Sequence, residues 1–360
     1  MLLPAPRTLL TRTAPAITLM LALLSGLLAG STAGAAEPAA GKPEAVTLLI
    51  WEEFLAPKVV KTLKNRYALD IRQITFTTQE ERDALLAKHA REIDLVVADS
   101  SAMGTYMTRN ILQPIDARRV PNLKRVLTRW QNDMNYSVPY LWGHTGIAWR
   151  TDKVKQPISN YAALLALARA QPGKVSLLDD PHEALMALRF AAGKPPYDIR
   201  SAADVQATAR QLKNWQGILR YTGSELTEKS PLVTGDIIAA QAYNGDVAFL
   251  RDTFKVPLAF AVPGPGCMIW QESFLMLKTA PRKDGAYRFL NLINDAVLAA
   301  RNASEVRYAT SNALAIPNLD PAFRDDPIIR PTLDGLDDCY FYPVFDAPTQ
   351  SAFGAVKLTP

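Results

Sequence analysis

The sequence predicts an α/β protein of two lobes, each a mostly parallel sheet flanked by helices, with two segments crossing between them. Three observations carry that expectation. Short apolar, strand-forming runs alternate with helix-like runs over residues 46–109, the pattern of a parallel sheet. The pattern restarts near Ser159, after a long, extended, aromatic-rich stretch at 137–150. A second extended stretch, 268–277, leads back into helices. At 360 residues, 48 % hydrophobic and 21 % charged, the chain is long enough for two cores and ordinary in composition.

Residues 1–35 read as an export signal. Arg7 and Arg12 precede an apolar run at 14–30, and Ala33-Gly34-Ala35 supplies the small residues for cleavage after Ala35 or Ala36. A linker follows over 36–45, and the mature chain is expected to be periplasmic where the host has an outer membrane. Lobe 1 is expected to comprise 46–146 plus 271–322, and lobe 2 to comprise 147–270 plus 323–360. Losing Arg7 and Arg12 lowers the formal net charge from +5 to +3. No Lys/Arg block is interleaved with aromatics, so nucleic-acid binding is not indicated.

The first strand, 46–50, ends in Trp51, Glu52, Glu53 and Phe54, with Pro57 and a helix over 58–67 behind it. Open α/β sheets bind ligands at the carboxyl ends of their strands. Two carboxylates between two rings suit a cation with an apolar body, since rings attract cations and cover methylenes. A strand over 71–76, a helix over 77–90 and a buried strand at 93–98 follow. The last ends in Asp99, Ser100 and Ser101 and opens a helix over 101–109. Asp99 is a natural N-cap and also an acid at a strand end. Residues 112–128 are irregular, broken by Pro114 and Pro121. In the crossing stretch 137–150, Gly143 and Gly146 are expected to permit a hinge, and His144 reads as a packed or solvated histidine.

In the second lobe a helix over 161–169 and a strand over 174–178 lead to Asp179-Asp180-Pro181-His182-Glu183. Asp180 at the N-cap, Pro181 at the first helical position and Glu183 at the third form a capping box, and both carboxylates also stand at a strand end. A helix over 202–215 and a polar loop over 221–234 precede an apolar run, 237–243, that ends in Tyr243 before Asn244-Gly245-Asp246. A strand over 256–262 and a tight turn at 263–266 lead to the second crossing, where Trp270 and Glu272 share one face. Helices are expected over 284–298 and 300–308. The Pro- and Asp-rich tail from Ser311 has little periodicity and is expected to pack outside or return to the second lobe. Tyr340 and Tyr342 alternate there as packing residues. Cys267 and Cys339 either pair or remain two buried thiols, and no cofactor or metal spacing is present.

The candidate cleft residues are therefore Trp51, Glu52, Glu53, Phe54, Asp99, Ser101, Asp180, Glu183, Tyr243, Asp246, Trp270 and Glu272. Many acids and several rings, without a matching run of Lys or Arg, point to a multiply charged organic cation. Each desolvated ammonium needs a carboxylate, and the methylenes between need flat apolar walls. No cleft arginine is singled out that would hold a carboxylate-bearing ligand, and no clustered Tyr or His ligands would hold iron.

At these positions the sequence resembles the periplasmic spermidine/putrescine-binding proteins that serve ABC importers. The resemblance runs from about Val46 to Asn318 through IWEEF (50–54), IDLVVADSS (93–101), ILQPID (111–116), SVPYLWGHTGIA (137–148), LLDDPHE (177–183), AYNGDVAF (242–249) and IWQES (269–273). It implies the type II periplasmic-binding-protein fold, closure on ligand by hinge bending, no catalysis, and delivery of a polyamine by a monomer to an inner-membrane ABC permease. It also implies that Trp51 and Trp270 flank the polyamine and that Glu53, Asp180, Glu183 and Glu272 pair its amines. Phe54 stands at a tyrosine and Tyr243 at a tryptophan. The chain departs from the family at Glu52 (Ser or Thr), Asp99 (Ser), Ser101 (a tyrosine) and Leu314 (another tyrosine). More negative charge and less aromatic wall leave room for a longer or more charged amine, or for a guanidinium such as agmatine. Two further readings are a sensor on the same fold and a hydrolase built on a carboxylate pair; the hydrolase lacks a nucleophile elbow, metal motif or phosphate loop.

Overall fold

Residues 44–126, 135–264, 266–329, 336–343 and 345–358 are described by a computed structural model. The expected export signal and most of the linker lie outside them. Glu44 and Ala45, read as the end of the linker, already pair with Leu69 and Asp70. The first three strands are β1 (Glu44–Trp51), β2 (Leu69–Phe76) and β3 (Leu95–Ala98), with helices α1 (Pro57–Tyr67), α2 (Gln79–His89) and α3 (Ser100–Thr108) after them in turn. β1 runs parallel to both β2 and β3, as strand–helix–strand alternation requires. Residues 117–125 form only short 3-10 turns, so the irregular reading there holds.

β4 (Ser137–Arg150) is the first crossing. The next elements are α4 (Tyr161–Ala170), β5 (Val175–Leu178), α5 (Pro181–Ala191), α6 (Ala202–Ala209), β6 (Leu219–Thr222), α7 (Pro231–Thr234), β7 (Ala239–Tyr243), α8 (Asn244–Phe254) and β8 (Leu258–Ala261). The second crossing is β9 (Met268–Met276), followed by α9 (Lys283–Ile293), α10 (Ala296–Val306), β10 (Ala309–Thr310), α11 (Pro321–Arg324), β11 (Tyr340–Phe341) and α12 (Ala347–Gly354). β6 and α7 occupy the stretch expected as loop, and α8 was not anticipated.

One sheet runs in the order β2-β1-β3-β9-β4-β7-β5-β6. Its two ends are parallel, as expected, and its centre is antiparallel. β9 pairs antiparallel with β3 through Ser273–Met276 and with β4 through Ile269–Leu275. The far half of β4, Thr145–Trp149, pairs with β7. Each crossing strand therefore starts on one side of the molecule and ends on the other. Strand alternation divides the core accordingly. Val46, Leu48 and Ile50 pack on one face with Phe274 and Phe289, and Leu49 and Val96 on the other with Leu275 and Tyr106. Beyond the crossing, Ile147, Val175 and Leu177 pack with α4 and α5, and Ala148, Ala240 and Ala242 with α8. Residues Gly41–Pro360 form one compact unit.

Two details differ from expectation. α10, assigned by sequence to the first lobe, straddles both cores: Leu298 packs with the first, and Ala299, Ala300 and Ala303 with the second. Gly143 and Gly146 lie within a paired strand, where bulk rather than flexibility explains them. A Cβ on Gly143 would stand 2.6 Å from Trp270, and one on Gly146 2.3 Å from Phe260. The tail packs against both cores. β11 pairs with Met268 and Ile269, Leu336 and Cys339 pack with Val46 and Phe274, Phe353 is fully buried beside α4 and α5, and Cys267 and Cys339 form a disulfide with Cα atoms 4.5 Å apart.

Candidate functional site

Trp51 is the last residue of β1, and the chain then turns sharply. Glu53 adopts φ 64°, and Phe54 donates its N–H back to the Trp51 carbonyl. This turn leaves Glu52 and Glu53 exposed and folds Phe54 inward. The Phe54 carbonyl accepts from Tyr140 Oη at 2.6 Å and from Asn302 Nδ2 at 3.3 Å, tying the turn to the first crossing and to α10. The Phe54 ring stacks on Trp270 at 6.2 Å and 28°. Tyr308 stands edge-on to Trp270 at 4.8 Å, and Tyr243 edge-on at 6.3 Å. Trp270 is thus the hub of an aromatic cluster, and Gly143 leaves space for its ring.

Two residues on, Glu272 faces the same way, as strand alternation requires. Its Oε1 accepts from Trp51 Nε1 at 3.0 Å. Its Oε2 is buried with no hydrogen-bond partner among the described residues, and so is Trp270 Nε1. Burial and the nearby Asp99 push the Glu272 carboxyl up to about 8, against the opposing pull of Arg82 and the Trp51 bond. Asp99 caps α3, its Oδ1 accepting from Ala102 N at 2.8 Å. Ser101 is half-buried in the first turn of α3, its carbonyl accepting from Thr105 Oγ1 at 3.4 Å.

Across the molecule, Asp180 caps α5 by accepting from the N–H groups of His182 and Glu183 at 2.8 and 3.1 Å. Burial works against its ionisation, but His182 and these N–H bonds hold its carboxyl below the usual range. Only half of the expected capping box forms. Glu183 turns inward, fully buried, and accepts from Gln241 Nε2 at 2.9 Å and from the Tyr342 hydroxyl. Burial, reinforced by the charge of Asp180, pushes Glu183 up to about 8. Asp246, in the first turn of α8, accepts from the Tyr308 hydroxyl, and burial raises its carboxyl too.

Tyr243 joins these groups. Burial and the charges of Asp180, Glu183, Asp246 and Glu272 together push its phenol well above the usual range. Four carboxyl groups from α5, α8, β9 and the end of β5 therefore converge electrostatically on one ring. The structure brings together Trp51, Phe54, Asp180, Glu183, Tyr243, Asp246, Trp270 and Glu272, with Asp99 behind Glu272. Glu53 is exposed but its charge reaches Asp246. Glu52 is exposed.

Sequence reasoning missed three members of this neighbourhood. Tyr308, not Leu314, supplies the ring beside Phe54 and Trp270; Leu314 is 53 % exposed. Tyr342 is a hydrogen-bond donor to Glu183 and not merely packing. Arg82, on α2, is 2 % exposed and within electrostatic reach of Asp99 and Glu272. His144, by contrast, is packed as expected, fully buried with its ring 5.6 Å from Phe260. Buried carboxylates of this number need cationic partners or protons. The rings beside them offer faces for methylene chains and for cations.

A model of the bacterial extracellular solute-binding protein family matches residues 58–331. The chain is 27 % identical over 333 residues to the putrescine-binding periplasmic protein of Escherichia coli (strain K12), covering 86 % of this chain and 90 % of that one. It is 26 % identical over 286 residues to the norspermidine sensor of Vibrio cholerae, covering 78 % and 79 %. Among solved structures it superposes with a TM-score of 0.75 and 17 % identity on the spermidine/putrescine ABC transporter substrate-binding protein of Streptococcus pneumoniae, covering 87 % and 97 % of the two chains. That likeness establishes the periplasmic-binding-protein fold.

Proposed function

Because this chain belongs to the bacterial extracellular solute-binding protein family, we propose that it captures a polyamine of the putrescine/spermidine class between its lobes and delivers it to an inner-membrane ABC permease from the periplasm. The ring cluster around Trp270, with Phe54, Tyr243 and Tyr308 against it and the buried acids Glu272 and Asp246 bonded to its members and neighbours, carries this reading. Carboxylates pair the ammonium groups, while Trp51, Tyr243, Trp270 and Phe54 cover the methylenes between them. Tyr308 completes the wall that Leu314 does not. The names of its relatives support the ligand class, since several are called putrescine- or spermidine-binding. Binding rather than catalysis is the role, in line with the family. The lobe division set out above, and the ligand residues within it, belong to the same proposal.

A sensor role has its own support, because a norspermidine sensor is among the relatives. It uses the same cleft and differs only in the partner of the closed form. Calorimetric titration of the mature protein with putrescine, cadaverine, agmatine, spermidine and spermine, against arginine and glycine betaine, tests the reading. Saturable binding of one amine, lost in Asp180→Ala and Trp270→Ala, is the expected result. A folded protein silent to all five amines would retire the ligand and leave the fold.

A further inference from the structure

We propose that Arg82 is a positioning residue for the ligand site: a fixed internal cation behind Trp51 that offsets Asp99 and so makes Glu272 easier to ionise for an incoming ammonium. The inference deepens the polyamine reading and rests on it.

Arg82 sits where a hydrophobic residue would be cheaper. It lies one turn before the buried Leu86, on the face of α2 that packs among Phe76, Ala102 and Tyr106. Its guanidinium stands 6.0 Å from the Phe76 ring centroid and 5.7 Å from that of Tyr106. Its Nε donates to Asp83 Oδ1 at 3.1 Å, but its Nη1 is buried with no hydrogen-bond partner among the described residues. A buried guanidinium so incompletely paired costs stability. Asp83 and Tyr106 pair the rest of it, and its charge also reaches beyond them.

The surroundings say where that charge reaches. Phe76 packs at 4.5 Å on Trp51, and Trp51 Nε1 holds Glu272 Oε1. Gln79, a turn earlier on α2, reaches Asp99 Oδ2 at 3.5 Å. The charges facing Glu272 are Asp99 from α3, Arg82 from α2 and, once ionised, Tyr243 from β7. Those facing Arg82 are Asp83, Tyr106, Asp99 and Glu272. Burial disfavours the guanidinium cation, but these four neighbours favour it, and it stays charged at any working pH. Glu272 thus lies between a like charge, Asp99, and one counter-charge, Arg82. Without Arg82, only the Trp51 bond would oppose burial and Asp99. The carboxyl would then keep its proton to higher pH, and an ammonium would have to displace that proton to bind.

The test follows the Glu272 carboxyl itself, by carbon NMR of mature protein labelled at glutamate side chains, assigned with Glu272→Gln. In Arg82→Met, and in Arg82→Gln should the methionine variant fail to fold, the titration midpoint of amine-free protein rises by about one pH unit. Arg82→Lys restores it, and Asp99→Asn, which keeps the helix cap, lowers it. Calorimetry with putrescine then shows Arg82→Met binding about tenfold more weakly near pH 6.5, nearly as tightly as wild type near pH 9, and releasing more protons per ligand. An unmoved midpoint, or a loss of affinity equal at every pH, would overturn the proposal. Wild-type protein that binds no amine, yet shows the shifted midpoint in Arg82→Met, would sink the polyamine reading and leave the charge relation standing.

Discussion

Glu183 has a satisfied hydrogen-bond set around a carboxyl that burial drives toward neutrality. Gln241 and Tyr342 both donate to it, yet burial pushes it up to about 8 from an ordinary 4.5. The linkage sign follows. Above about pH 4.5 the unfolded chain gives up this proton and the folded chain does not, so folding is favoured at low pH and loses stability as pH rises toward about 8. Each unit of difference is worth about 1.4 kcal/mol, so the cost reaches a few kcal/mol at the alkaline end. Glu183→Gln imitates the protonated carboxyl. It should therefore raise the melting temperature of amine-free protein at pH 9 and leave it nearly unchanged at pH 4.5. Putrescine affinity should fall about 100-fold, the scale of about 3 kcal/mol for a buried ammonium deprived of its counter-charge. Thermal melts across pH, with calorimetry, check both. A melting difference independent of pH would mean that the carboxyl is not held protonated.

The C-terminal tail shows what a pattern-based reading can and cannot reach. The strand ends were legible because alternation and position are local. Trp51 and Phe54 follow an apolar run, Trp270 and Glu272 are two apart on a strand, and Asp180 does cap α5. Tyr342 and Tyr308 were not, since each acquires its role from a partner far away in sequence: Glu183 for Tyr342, Asp246 for Tyr308. α8 was missed, and Gly245 in its first turn is explained only by a tertiary contact, since a Cβ there would stand 2.3 Å from the Tyr308 ring. Once the tail is placed, its function becomes arguable. The disulfide fastens Cys339 beside β9, three residues before Tyr342, and Phe353 of α12 stacks on His182 at 4.1 Å, next to Asp180. The tail thus reaches Glu183 directly through Tyr342 and Asp180 by way of His182. Replacing both cysteines by alanine should cost about 4 kcal/mol of stability in the chain-entropy model, for a separation of 72 residues. It should also weaken putrescine binding about tenfold, the worth of one hydrogen bond to a charged group. Tyr342→Phe should cost the same in wild type and nothing more in the cysteine-free background. Additive losses in this double-mutant cycle would show that the disulfide does not act through Tyr342.

At the scale of the whole molecule, the proposed closure of two lobes would be coupled to protons through the same carboxylates. Glu183, Glu272 and Asp246 are each at most 8 % exposed in the arrangement described here, and burial raises all three. In that reading, opening about the crossings β4 and β9 would return part of this burial to water and lower the three values toward the ordinary range. The closed form would then bind more protons than the open form, and acid would favour closure. Asp180 works the other way, since its carboxyl is held low in the closed arrangement, but it is one group against three. A polyamine replaces the protons with ammonium groups and permits closure with the acids ionised. Ligand and protons are thus alternative ways of burying the same charge. Small-angle scattering of the mature protein should then give a compact radius of gyration, about 20 Å for a chain of this size, at pH 9 with putrescine and also near pH 5 without it. Without putrescine at pH 9 the radius should be larger. Glu183→Gln with Glu272→Gln should abolish most of the pH dependence by making both sites permanently neutral. A radius indifferent to pH in the wild-type protein would mean that the acids stay buried in the open form, and that closure draws its energy from the aromatic wall alone.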